Sequence, residues 1–251
     1  MKYPLSLLII LLVFSSCATK KEIVYFQDAE LLNNDTNSQT FEPIIENNDI
    51  LHIAISSMNE EVLTPFKRKT GLEGNVNNQN PGLQGYLVNS DGEIRFPVIG
   101  AVAVAGKTRG QVEEQLKGEL SQFITDVVVD VRIMNFKVTV IGEVNNPGVY
   151  NIPDERVTLT QALGLAGDLS EDGKRENIMV IREIDGNQQV TRIDLTKTDF
   201  FSSPYYFLKQ NDVVYVEPSL KGVKKSGFIP NIPALLSLFT VVLSSVILLT
   251  R

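Results

Sequence analysis

Tryptophan is absent from the sequence, and histidine and cysteine occur once each, as His52 and Cys17. A single cysteine excludes an intrachain disulfide. A single histidine excludes Cys/His zinc sites and nucleophile systems built on any other imidazole. The missing tryptophan removes the commonest platform for stacking a sugar ring. An excess of positive charge is missing too: 23 Lys and Arg face 30 Asp and Glu, a net charge of −7. That argues against a general binder of nucleic-acid phosphate. What is there is 43% apolar residues over 251 positions. This is enough for one or two packed domains and too much for a disordered chain. The chain is short of catalytic parts.

Both ends read as membrane elements. Met1-Lys2-Tyr3-Pro4, the apolar run Leu5 to Phe14 and then Ser15-Ser16-Cys17 have the layout of a secretory signal. The run is too short to span a bilayer as a mature helix. With its cysteine after two small residues it resembles a bacterial lipoprotein signal over 1–16, which implies lipid attachment at Cys17. An ordinary secretory signal with a chance cysteine is the alternative. Each buried acyl CH₂ contributes about 0.8 kcal/mol of anchoring. Ala18, where no Asp stands, points to the outer membrane in lipoproteins of this kind. At the other end, Ile232 to Thr250 is a run of 19 residues without charge. At about 1.5 Å per residue it predicts a transmembrane helix, within a segment 231–251, opened by Pro230 and Pro233. A buried globular helix is the alternative. Ser237, Thr240 and Ser244 fall within about 60° on the helical wheel, with Arg251 on the same side. Such a stripe can line water, or its hydroxyls can bond back to their own helix. A single helix makes no pore, so the first reading demands a ring. Lys221, Lys224 and Lys225 before the helix and Arg251 after it conflict with the positive-inside tendency of an inner membrane. An outer membrane raises no such conflict.

The middle reads as α+β. Residues 18–42 are a polar tether with one ordered patch at Ile23 to Phe26, and 56–85 reads as a long loop. Ile50 to Ile55 is a strand on which His52 is structural or exposed. Tyr86 to Phe96 reads as a hairpin turned by Asp91-Gly92. Thr108 and Gln111 form a capping box for a helix to about Phe123. Val127 to Ile133 alternates as a half-buried strand, and Phe136 to Ile141 is another. The pattern then recurs: a second box at Thr158 and Gln161 opens a helix to about Ala166, and strands follow at 178–184, 189–195 and 213–216. Asn48-Asp49-Ile50-Leu51 is echoed by Asn211-Asp212-Val213-Val214. Two small α+β units in series follow, with a boundary near Asn135.

These residues also carry a family resemblance. Asn48-Asp49-Ile50-Leu51, Asp91-Gly92, Phe96-Pro97-Val98-Ile99-Gly100 and Val104 to Thr108 resemble the polysaccharide export domain, over 41–135. Gly142-Glu143-Val144-Asn145-Asn146-Pro147-Gly148-Val149-Tyr150, Ala166-Gly167-Asp168 and Asn211 to Val216 resemble the β-grasp module called SLBB, over 136–218. The order, with a lipidated tether 17–40, a basic linker 219–230 and the tail helix, resembles the Wza-type outer-membrane polysaccharide export proteins. The resemblance implies two β-grasp-like domains and a homo-oligomeric ring, commonly an octamer. It implies passage of capsular or exopolysaccharide through C-terminal helices in outer-membrane lipid. It further implies an inner-membrane copolymerase or tyrosine kinase as partner. No enzyme activity, cofactor, metal or nucleic acid is expected.

Three motifs compete with this reading. Gly100 to Thr108 imitates a phosphate-binding loop but has five residues between its glycines where that loop has four. Asp168 to Gly173 begins like a calcium loop, yet its twelfth position is Met179. Glu60-Glu61 and Glu113-Glu114 read as solvated faces rather than a glycosidase pair. A channel is therefore the first expectation, with Ser237, Thr240, Ser244 and Arg251 towards the lumen. A membrane-anchored glycan-binding or scaffold lipoprotein is the second, and a hydrolase the weakest.

Overall fold

The computed structural model describes residues 24–31, 41–67, 85–184, 186–219 and 232–249. Cys17, the signal segment, Arg251 and the lysines of the basic linker lie outside them. The chain is a mixed α/β protein with two domains in series.

In the first domain, β1 (Ile50–Ser56), β2 (Tyr86–Leu87) and β5 (Val128–Ile133) form an antiparallel sheet in the order β2-β1-β5. Strands β3 (Glu93–Phe96) and β4 (Gly100–Ala103) form a separate antiparallel pair. Helix α1 (Arg109–Leu120) packs on β5. It starts where expected, because the Thr108 hydroxyl takes the Gln111 amide while the Gln111 side chain takes the Thr108 amide. Val112, Leu116 and Leu120 recur every four residues and are fully buried against Val131 and Ile133 of β5, the alternating strand.

The expected hairpin at 86–96 is corrected. Its turn forms: Asn89 Oδ1 accepts the amides of Asp91 and Glu93, both at 2.9 Å. Beyond the turn the chains part. Tyr86 and Leu87 pair with Leu51 and Ile50, while Glu93–Phe96 pairs with Ala103–Gly100. Turn chemistry closes a turn but does not choose a ladder partner. The stretch read as loop also holds a 3-10 helix, Glu60–Phe66, capped by Asn59 and burying Leu63 and Phe66. The phosphate-loop imitation begins as the extended strand β4 and turns only at Ala105-Gly106, so its first half does not curl as a phosphate cradle must.

The second domain is a five-stranded sheet ordered β7-β6-β10-β8-β9, with β6 Lys137–Gly142, β7 Gly148–Asn151, β8 Gly173–Ile184, β9 Asn187–Ile193 and β10 Val213–Pro218. Strand β10 runs parallel to β6 and antiparallel to β8. Val140, Val214 and Val180 sit side by side across these strands and are fully buried. Helix α2 (Leu159–Leu165), with its own complete capping box, buries Leu159, Ala162 and Leu163 over this sheet.

The tail forms helix α3, Ile232–Leu249, of 18 residues. At about 1.5 Å each these rise about 27 Å, short of a hydrocarbon core of about 30 Å. Among the described residues no helix is long and apolar enough to cross a membrane. A lone spanning helix is thus not carried by the structure, although the helix itself is there.

Candidate functional site

The Asn-Asp echo has a common geometry. Asn48 and Asn211 both adopt a left-handed backbone, φ 69° and 63°. Each following aspartate turns back on the chain: Asp49 Oδ2 accepts the Glu46 amide at 2.8 Å, and Asp212 Oδ2 accepts the Lys209 amide at 2.8 Å. Both carboxyls are 1% exposed. They differ in what meets their other oxygens. Asp212 is held by Arg182 of β8 through a two-pronged contact, at 2.9 and 2.6 Å. Arg182 also donates to the Phe207 carbonyl and lies over the Tyr205 ring. No arginine is bonded to Asp49 among the described residues; Gln210 reaches it from the second domain at 3.3 Å.

Gln210 is the pivot of the seam between the domains. Its amide nitrogen donates to the Asn135 carbonyl, and its oxygen accepts the Lys137 amide. Asn135 in turn accepts the Ile50 amide and donates to the Asn48 carbonyl. Burial pushes the Asp49 carboxyl up to about 6, although the Glu46 amide and Gln210 oppose the rise. A second carboxylate closes the seam: Glu155 Oε1 accepts the Ile133 amide at 2.8 Å, and Oε2 faces the Arg109 guanidinium at 3.7 Å. Burial raises this carboxyl as well. Glu113 accepts the Val131 amide at 2.9 Å, so two carboxylates cover donors on β5. The expectation that Glu113 is merely solvated is corrected by this bond; Glu114 is exposed as expected.

The signature residues of the second domain build its frame. The Asn145 and Asn146 amides donate to Asp168 and Ala166 carbonyls. Glu143 takes the Ser170 hydroxyl at 2.8 Å. The Gly142 backbone has φ 93°, and a Cβ there would lie 2.1 Å from the Val216 carbonyl oxygen. Asp168 accepts the Tyr25 hydroxyl and the Leu169 amide. Tyr25 and Phe26, in the patch expected to be ordered, dock on this domain. The Phe26 and Gln27 amides donate to Leu195 and Thr196 carbonyls, and the Phe26 ring meets Phe200 at 5.6 Å. Burial and the Asp168 bond raise the Tyr25 phenol.

On α3 every described side chain, 235–249, is exposed. Thr240 donates to the Ser237 carbonyl at 2.8 Å, Ser245 to Val241 at 2.8 Å, and Ser244 to Thr240. These bonds use the hydroxyl protons and leave lone pairs able to accept. The structure places Ser237, Thr240 and Ser244 on one helix; Cys17 and Arg251 lie outside the described residues. His52 is exposed beside Arg132 across the β1–β5 ladder. Among the described residues no group of three or more His, Cys, Asp or Glu is placed to hold a metal ion. The seam residues Gln210 and Glu155 escaped sequence reasoning, which marks Asn135 only as the boundary between the units. The Asn-Asp echo pointed at Asp49 and Asp212 but not at what fills their free oxygens.

Comparison with known proteins agrees with this architecture. Residues 37–134 match the polysaccharide biosynthesis/export protein family, and 136–216 match the SLBB domain. The EPS I polysaccharide export outer membrane protein EpsA of Ralstonia solanacearum is 30% identical over 176 residues, 68% of this chain and 46% of that protein. The EpsA protein of Ralstonia nicotianae is 31% identical over 141 residues, 55% of this chain and 36% of that protein. The capsule polysaccharide export outer membrane protein CtrA of Neisseria meningitidis is 27% identical over 172 residues, 66% of this chain and 42% of that protein. The chain thus spans less than half the length of the curated relatives it matches. With an export domain and an SLBB domain in this order, joined at a seam built from both, the chain carries the domain pair of the Wza-type polysaccharide export proteins.

Proposed function

We propose that this chain is a component of an outer-membrane channel that moves capsular or exopolysaccharide from the periplasm to the cell surface. Identical subunits close into a ring, lipid at Cys17 anchors each one, and the tail helices together enclose the exit. The two domains form the periplasmic body, bounded by the tether 17–40 and the linker 219–230. An inner-membrane copolymerase or tyrosine kinase hands the polymer over. No bond of the sugar chain is made or broken.

One observation carries this reading: a helix whose described side chains are all exposed, 11 of them large and apolar, extends from an otherwise packed polar body. So much uncovered apolar surface needs lipid or other copies of itself. The outer membrane is thinner than average, which suits a helix of about 27 Å. A ring also relieves the helix of meeting lipid on every side. Heterologous contacts close when the rotation is right. Ser237, Thr240, Ser244 and Arg251 face the lumen, where back-bonded hydroxyls still accept weak, exchangeable bonds from water and sugar.

Cysteine-accessibility mapping across 234–250 in native membranes tests this. A water-reactive stripe at 237, 240 and 244 is expected. Uniform protection would favour the second reading, in which the helix only anchors a glycan-binding or scaffold lipoprotein beside a separate pore.

A further inference from the structure

The seam encloses a cavity of about 220 Å³ that the polar joint does not fill. The first domain supplies Phe41, Ile44 and Glu46, and the second supplies Phe136, Lys209 and Gln210. Its volume lies below the ~300–1,000 Å³ of drug-sized pockets, which limits it to about one small ring. Phe41 is set in advance: its ring stacks on Phe207 at 4.9 Å and 19°, and the Arg156 guanidinium lies 4.6 Å from the Phe207 ring. An aromatic wall already held in place loses little entropy on binding. Gln210 is spent on Asp49, Asn135 and Lys137 and acts as fixed wall. With Glu42 engaged by the Gly110 amide, two charged groups remain for a ligand, the Glu46 carboxylate and the Lys209 ammonium.

Their balance is uneven. Glu46 feels Asp49, Asp212 and Glu183 as like charges, and Lys209 as the opposing one. Glu42 adds a further carboxylate at the wall. Arg182 compensates Asp212. The surplus is negative.

We propose that this seam cavity is a subsite for one pyranose, that it prefers an amino sugar to a neutral hexose, and that it rejects a uronate. The sugar's apolar face lies on Phe41, where this tryptophan-free chain offers a phenyl ring instead of an indole. Hydroxyls bond to Lys209 and Glu46, and a ring ammonium pairs with Glu46. This rests on the export reading for its choice of a sugar, and it goes beyond that reading by placing a contact in the periplasmic body rather than in the exit.

The test is saturation-transfer NMR on the full chain in detergent, with methyl α-D-glucosaminide, methyl α-D-glucoside and methyl α-D-glucuronide. The glucosaminide should bind about fivefold tighter than the glucoside, the upper size of one partly screened ion pair, and the glucuronide weakest. Phe41→Ala should abolish binding of all three. Glu46→Gln, which keeps shape and removes charge, should bring glucosaminide and glucoside to parity with the unfolding midpoint no lower than that of the unaltered chain. Absence of binding by every glycoside, a glucuronide that binds best, or an unchanged preference in Glu46→Gln overturns the proposal. The tail-helix mapping is blind to the seam, so failure here is separable from failure of the channel reading.

Discussion

Asp49 shows how a single buried carboxyl ties stability to pH. Its value of about 6 in the folded chain stands above the ordinary 3.8. Between those values the folded state holds a proton that the unfolded state has lost. The stabilisation is therefore complete below about pH 4 and is lost as pH rises through about 6, on the order of 3 kcal/mol. Burial shifts Glu46 and Glu155 in the same direction, so their contributions add in sign. Denaturant titrations from about pH 4 to 7 should show stability falling with rising pH. Asp49→Asn should flatten that slope. Gly142 makes a second prediction at this scale. Any side chain there must move the Val216 carbonyl or leave a left-handed backbone. Gly142→Ala should cost about 3 kcal/mol or more, read as a lower denaturation midpoint.

Among the elements, β8 is joined to the turn that opens β10 by an ion pair that water does not reach. Arg182→Ala strands Asp212 as a buried, unpaired charge, with an expected loss of about 3–5 kcal/mol. Arg182→Lys should recover only part of it, because an ammonium cannot reproduce the two-pronged contact. For β5, Glu113→Ala exposes the Val131 amide and should cost about 1–2 kcal/mol, with Glu113→Gln largely neutral since it keeps an acceptor. Chemical denaturation measures both. The elements themselves were readable because their causes are local. Thr108/Gln111 and Thr158/Gln161 mark helix starts within four residues, and Val129, Val131 and Ile133 announce a face by alternation. Strand partners were not readable. Nothing near Tyr86 says that it joins β1 instead of β3, since the competing ladders differ by contacts made elsewhere.

For the whole molecule, the tail helix and the body should separate cleanly. All described side chains of α3 are exposed, so removal of 232–251 should leave the body's unfolding midpoint unchanged. On the channel reading it should also abolish ring assembly, measured by sedimentation, while the lipid anchor at Cys17 still holds the body to the membrane. The order of the chain alone determined a great deal: an apolar tail beyond a polar body, two capped helices, two copies of an Asn-Asp turn and the family signatures. These follow from propensity, periodicity and composition, which are properties of neighbours in sequence. Tertiary structure alone decided that Gln210 bonds Asp49 across 161 positions, that Glu155 covers the Ile133 amide, and that a cavity walled by Phe41 and Phe136 opens at the seam. Such contacts depend on how two packed bodies meet, and their residues carry no local mark because only the fold brings them within bonding distance.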